Sequence, residues 1–265
     1  MDKKNIKEVV RKEYTKIAKT GSPCCGSSSC CSGTSSAHSN SKAVGYSDAE
    51  IGAVPEGANL GLGCGNPVAM ASLKEGDIVL DLGSGAGFDA FLAAQRVGKT
   101  GRVIGVDITQ EMLEKARANA KRGGYDNVEF RLGEIEKLPV EDNSVDMIIS
   151  NCVINLSPDK EAVFKEAFRV LKAGGKLMIS DLVLVKELPD AIKESVEAYV
   201  GCLAGAIRKE EYLKLIALAG FQEVKVISQS YYPVDAMFDG LKSAEDAVAS
   251  IKVSAKKPMT ERAQE

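Results

Sequence analysis

The chain of 265 residues has a single histidine, His38, and no tryptophan, and only 5% of its residues are aromatic. Enzymes that act on hydroxyls or amines often need a base near neutral pH, and histidine is the usual one. His38 lies in a Ser/Gly-rich tract, so chemistry of that kind would have to run on Asp, Glu or Lys. Long apolar runs are also missing, which excludes a membrane-spanning helix. Positive charge is not in excess: the net charge is −3 and the sequence pI about 5.5, so no basic face advertises nucleic acid. The opening residues, Met1-Asp2-Lys3-Lys4-Asn5, lead into an amphipathic stretch and lack the apolar core of a signal peptide. None of the seven cysteines has the C-x-x-C spacing of a zinc knuckle. Thiols without a secretory leader suit a reducing compartment, and the cytoplasm is the expected location.

What is present is organised around Ile78-Val79-Leu80-Asp81-Leu82-Gly83-Ser84-Gly85-Ala86-Gly87-Phe88. An apolar strand ends in an acid and a glycine-rich turn, and a helical pattern follows. That order brings a ligand up to backbone N–H groups at a helix N-terminus. The spacing is Gly-x-Gly-x-Gly, which differs from the dinucleotide fingerprint. The next strand, Arg102 to Asp107, again ends in an acid, placed to accept the hydroxyls of a ribose.

From residue 76 onward strands and helices alternate, which predicts a parallel sheet covered by helices on both faces. Strands are expected at 78–82, 102–106, 127–131, 145–150 and 175–183, and helices at 88–97, 110–123 and 159–172. Further helices are expected at 189–204, 210–219 and 234–247, with a strand from Phe221 to Ile227. The alternation of Ala249, Ile251, Val253 and Ala255 reads as a last, edge strand. Before this core, residues 3–19 form an amphipathic helix. Residues 21–45 are a low-complexity Ser/Gly/Cys stretch with too little apolar area to order itself. The expected division is therefore an N-terminal helix and flexible segment over 1–45, a Rossmann-like domain over 46–183, and a C-terminal, sheet-completing region over 184–265.

Three cysteines stand at informative places. Cys64 lies in a glycine-rich loop just before Asn66-Pro67, good N-cap and N1 residues for a helix over 67–72, where a helix dipole would favour thiolate. Cys152 follows directly on strand 145–150, at the strand end where open α/β sheets bind ligands. Cys202 lies on the element that would roof the site. Each could be an ordinary small or buried residue. Together they could also form a trigonal thiolate cage for a soft ion.

The pair Asp81 and Asp107 around the glycine turn resembles the S-adenosylmethionine site of class I methyltransferases. Gly61-Leu62-Gly63-Cys64-Gly65-Asn66-Pro67, Ser150-Asn151-Cys152-Val153-Ile154-Asn155-Leu156 and Tyr199-Val200-Gly201-Cys202 resemble, more narrowly, the three cysteine motifs of arsenite S-adenosylmethionine methyltransferases. The likeness runs from about residue 8 to 256. It implies trivalent arsenic, delivered as a thiol conjugate, held by Cys64, Cys152 and Cys202. It implies cofactor contacts from Asp81, Gly83, Ser84 and Gly85 in the glycine turn, and from Asp107, Ile108 and Asn151. Gly133-Glu134-Ile135-Glu136 would hold the adenine, with Glu134 and Ile135 in contact. It also implies an N-terminal thiol that pairs with Cys64; Cys24, Cys25, Cys30 and Cys31 are available, and Cys30 and Cys31 are the expected relay residues. A reductant of the thioredoxin or glutathione type would reset the disulfide. Trivalent arsenic carries its own lone pair and needs no deprotonation, which suits a chain with one histidine. A methyltransferase for a small organic acceptor and a metalloid-binding protein without turnover are the alternatives.

Overall fold

A computed structural model of the chain describes residues 3–21, 34–188, 192, 195–231 and 246–259. Its centre is a seven-stranded sheet of β1 (Ile78–Leu82), β2 (Arg102–Asp107), β3 (Val128–Leu132), β4 (Val145–Asn151), β5 (Leu171–Leu184), β6 (Gln222–Tyr231) and β7 (Val248–Lys256). The spatial order is β3-β2-β1-β4-β5-β7-β6. The first five strands are parallel, and β7 runs antiparallel between β5 and β6. The last strand is thus interior and β6 is the edge, which reverses the expectation for residues 249–255. Alternation could not reveal this, because an antiparallel strand inserted between two others has one pattern wherever it sits.

Apolar strands buried on both faces need helices on both faces. α5 (Phe88–Val97) and α6 (Gln110–Gly123) bury Phe91, Ala94, Leu113 and Ala116 against one face. α7 (Lys160–Val170) and α9 (Lys209–Leu218) bury Val163, Phe164, Tyr212 and Ile216 against the other. Gly98 and Gly124, both at positive φ, end α5 and α6.

Further α-helices among the described residues are α1 (Lys3–Thr20), α2 (Thr34–Ala43), α3 (Asp48–Gly52), α4 (Pro67–Met70) and α8 (Val196–Val200). α2 corrects the expected linker: helical order extends through Thr34–Ala43. Among its described side chains, polar contacts dock it. Ser41 is buried and its hydroxyl donates to Asn59 Oδ1 at 2.9 Å, while His38 and Lys42 both contact Asp48. The cysteines at 24, 25, 30 and 31 and the helix expected over 234–247 fall almost wholly outside the described residues, as do 189–191 and 193–194 of the helix expected over 189–204. What is described of that last helix ends at Val200.

Candidate active site

Register builds the site. Leu82 lies beside Val106 of β2 and Ser150 of β4, so the glycine turn, Asp107 and Asn151 emerge side by side at the carboxyl ends of three strands. The turn can tighten only with glycine at 83: its φ is +66°, and a Cβ there would collide with Val153. Asp107 fixes the turn from below. Its Oδ2 accepts the Gly85 N–H at 2.9 Å and its Oδ1 accepts the Thr109 N–H at 2.8 Å.

A cleft open to solvent runs over these strand ends. Asp81, Gly83, Ser84, Gly85, Asp107, Ile108, Ile135 and Asn151 line it, so eight of the nine expected cofactor residues come together. Glu134 does not: it is half exposed and pairs with Lys7 at 2.7 Å. That Lys7 ties α1 down as one wall of the cleft, where Val10 and Tyr14 join it.

The polar atoms of this cleft are poised for a guest. Asp81 Oδ2, Ser84 Oγ and Thr109 Oγ1 are buried without a protein partner. Buried polar atoms are nearly always satisfied, so unpaired ones facing a cleft mark ligand contacts. Burial, then the neighbouring Asp89 and Asp107 charges, push the Asp81 carboxyl well above its usual range. A cationic ligand would relieve that strain. Acids for a sulfonium, ammonium and ribose, with apolar Ile108 and Ile135 for a base, fit S-adenosylmethionine.

The cysteines gather beyond the glycine turn. Cys64, Cys152 and Cys202 are all free, buried, and packed in one cluster. Cys152 follows β4 at φ +59° and lines the cleft. Cys202 is not helical, as expected from sequence, but sits at φ +65° just past α8. Its N–H bonds to Tyr199 O at 2.9 Å and the Leu203 N–H to Ala198 O at 2.8 Å. This is the Schellman helix end, in which glycine usually fills the left-handed position. The Cys202 thiol donates to the Cys152 carbonyl at 2.8 Å.

Cys64 is held less loosely than a glycine loop suggests. Its N–H donates to Asn151 Oδ1 at 3.1 Å, and its carbonyl accepts the Ser250 hydroxyl at 2.8 Å. A Cβ at Gly65 would collide with Ser180 Oγ, so the loop lies hard against β5. The expected helix-dipole effect on Cys64 is also corrected. α4 has only four residues, and burial pushes the thiol up, not down. Hydrogen bonds with Cys202 and Cys64, followed by burial, hold Cys152 well above the ordinary thiol range.

Sequence reasoning missed three residues here. Tyr46 donates to Asp89 Oδ1 at 2.6 Å and receives the Asn151 amide at 2.8 Å. Asp181 lies beside Cys64 and Cys152. Asp181 alone had a readable signal, an acid inside the apolar run of β5.

A parallel sheet extended by an antiparallel β7, with a glycine turn and paired acids at its strand ends, defines a class I S-adenosylmethionine-dependent methyltransferase. Residues 73–220 match the family model described as a methyltransferase domain. The chain is 46% identical over 85% of its length to an arsenite methyltransferase of Halobacterium salinarum, covering 59% of that protein. It is 44% identical to one of Aquipseudomonas alcaligenes, covering 62% of this chain and 49% of that one. A crystal structure of an arsenic(III) S-adenosylmethionine methyltransferase from Chlamydomonas reinhardtii superposes with a TM-score of 0.65 at 33% identity, covering 83% of this chain and 73% of that one. The chain belongs to the arsenite methyltransferase family. It spans about half to three fifths of the length of the curated relatives it matches.

Proposed function

We propose that the protein methylates trivalent arsenic bound by Cys64, Cys152 and Cys202, and that a cysteine disulfide relay restores the trivalent state. The observation that carries this reading is the convergence of three free, buried cysteines from distant parts of the chain, one of them lining the cofactor cleft. The raised pKa values of Cys64 and Cys152 are no obstacle. As each arsenic–sulfur bond forms, the thiol proton leaves with a hydroxide of arsenite as water, so no free thiolate is required beforehand.

S-adenosylmethionine supplies an electrophilic sulfonium methyl when bound. The chain's own part is placement: Asp81, Asp107 and the glycine turn hold the donor, and the cysteines hold arsenic with its lone pair directed to the cleft. Such placement lowers a barrier by several kcal/mol. Burial of the cysteine cluster keeps water out. Methylation leaves arsenic formally pentavalent. Two thiols closing to a disulfide return the two electrons needed, with Cys64 pairing with Cys30, Cys31 or a neighbour and a thioredoxin- or glutathione-type reductant reopening it. In this reading 1–45 carries the relay, 46–183 the cofactor, and 184–265 the roof with Cys202. Among the described residues no helix is long and apolar enough to cross a membrane, in keeping with a cytoplasmic enzyme.

Incubation with arsenite, S-adenosylmethionine and a thiol reductant, followed by arsenic speciation, tests the proposal. Methylated arsenicals should appear together with S-adenosylhomocysteine. Arsenite and cofactor that both bind without methylated product would favour a metalloid-binding protein. Neither arsenite binding nor turnover would favour an organic acceptor.

A further inference from the structure

The tightest set of soft or acidic ligand atoms near the cleft is not the three cysteines. Asn151 pairs with Ser180 across β4 and β5, so the next residues, Cys152 and Asp181, stand level with one another. The loop carrying Cys64 packs onto the same point, its sulfur 3.5 Å from Ser180 O. The sulfurs of Cys64 and Cys152 and a carboxylate oxygen of Asp181 all lie within 4.8 Å of one another. Among the described residues this is the set so spaced, and Cys202 is outside it.

Asp181 is completely buried and hydrogen-bond donors fix its carboxylate, the Asn155 N–H among them. The Leu182 N–H reaches Oδ1 at 2.9 Å and the Tyr212 hydroxyl reaches Oδ2 at 3.0 Å. Three donors on a carboxylate leave one lone-pair site free for a cation. Outer donors that hold a carboxylate in place are the usual support of a metal ligand. Burial raises the Asp181 pKa, and the half-buried Lys160 ammonium, which donates to Ser157 O at 3.0 Å, acts against that rise.

We propose that Cys64, Cys152 and Asp181 form a second donor set that binds a soft divalent cation of the zinc and cadmium class. It shares two ligands with the proposed arsenic site and excludes arsenite while occupied. The two sets differ by one residue, and charge explains the division. Three thiolates neutralise trivalent arsenic. Two thiolates and a carboxylate leave a divalent cation with one net negative charge, which Lys160 offsets. Zinc bonds of about 2.0–2.3 Å in a tetrahedron set ligand spacings of roughly 3.4–3.8 Å. Small side-chain rotations from the observed spacing reach that range. The cleft at Cys152 leaves the fourth position to water. Binding is a proton exchange without electron transfer: the cation takes both sulfurs, and their two thiol protons go to the buffer.

The test uses the full chain with Cys24, Cys25, Cys30 and Cys31 changed to serine, so that only the buried cysteines remain. Cadmium is titrated in, followed by its thiolate charge-transfer absorption and by calorimetry in two buffers. One cadmium should bind per chain, with release of about two protons, and should block arsenite. Asp181→Asn should weaken cadmium by roughly 10–100-fold and Tyr212→Phe by about tenfold, with arsenite affinity little changed. Cys202→Ser should do the reverse, losing arsenite and keeping cadmium. Unchanged S-adenosylmethionine affinity checks that each variant is folded. Cadmium binding that ignores Asp181→Asn, or that falls with Cys202→Ser as arsenite does, overturns the proposal. If Asp181→Asn does not fold, the Cys202→Ser and Tyr212→Phe arms decide. Failure to methylate arsenic would overturn the proposed function and leave the cadmium result standing.

Discussion

Asn151 grips Cys64 by the backbone: its side-chain carbonyl accepts the Cys64 N–H at 3.1 Å. Its amide group points the other way, to Tyr46, Asp89 and the Gly65 carbonyl at 2.8–2.9 Å. A residue expected to touch the cofactor, and lining its cleft, thus also places a cysteine. Asn151→Ala should weaken arsenite by about 10–100-fold, the usual cost of losing a partner that positions a ligand. S-adenosylmethionine affinity should fall less. Parallel calorimetric titrations of both ligands compare the losses, and a larger loss for the cofactor would return Asn151 to the cofactor site.

Asp107→Ala should weaken S-adenosylmethionine by about 1.5–3 kcal/mol, one to two orders of magnitude. Part of that loss is indirect, because both carboxylate oxygens also hold the Gly85 and Thr109 N–H groups. Arsenite binding, measured separately, should survive. An unaltered cofactor affinity would mean the ribose is held elsewhere.

Cys152→Ser and Cys202→Ser should each abolish tight arsenite binding, since a hydroxyl is a hard, poor ligand for a soft metalloid. The fold should persist, because both positions keep their backbone and nearly their volume. Thermal melting with equilibrium arsenite binding checks both halves. Two variants that bind arsenite normally would dismiss the thiolate site.

Cys64 and the N-terminal thiols should divide by substrate. Cys64→Ser, or a chain lacking Cys24, Cys25, Cys30 and Cys31, should lose turnover of arsenite yet keep part of its activity on monomethylarsenite, which offers only two exchangeable positions. The pinned Cys64 backbone confines any motion to its sulfur. Equal losses on both substrates in Cys64→Ser would make Cys64 a permanent third ligand.

Stability should decline as pH rises through the acidic range. Burial raises the Asp89 carboxyl from 3.8 to about 6, against the pull of Tyr46 and Asn151. Between those values the folded protein keeps a proton that the unfolded chain has lost, so stability falls from about pH 4 to about pH 6 and then levels. Asp181, also raised to about 6 by burial, acts with the same sign. Melting curves across that range should show the decline, and Asp89→Asn should make it shallower. An identical slope in the variant would assign the pH dependence to other groups.

The helices at 88–97 and 110–123 were readable to the residue, because apolar periodicity, a glycine entry and glycine stops agree there. β5 was not. Gly174-Gly175 suggests a turn, yet Leu171 already pairs with Val145 across a register shift that the two glycines accommodate. The cysteine and cofactor motifs were legible because each lies at a strand end or turn with its own local signature. Tyr46 was not, since its meaning comes from contacts with Asp89 and Asn151, far off in the chain; the acid at 181 stood out in its apolar run, but only the alignment of β5 with β4 sets it beside Cys152. Cys202 was misplaced in a helix because nothing local announces a cysteine in glycine's left-handed seat.

The hydroxyl that holds the Cys64 carbonyl belongs to Ser250, 186 residues further along the chain. During synthesis the cofactor strands and all three buried cysteines leave the ribosome before β7 does. Until β7 slides in between β5 and β6, the Cys64 loop lacks one of its anchors. A nascent chain meeting oxidant or metalloid in that interval exposes ordinary, unprotected thiols. The time needed to translate the last strands sets how long this vulnerability lasts.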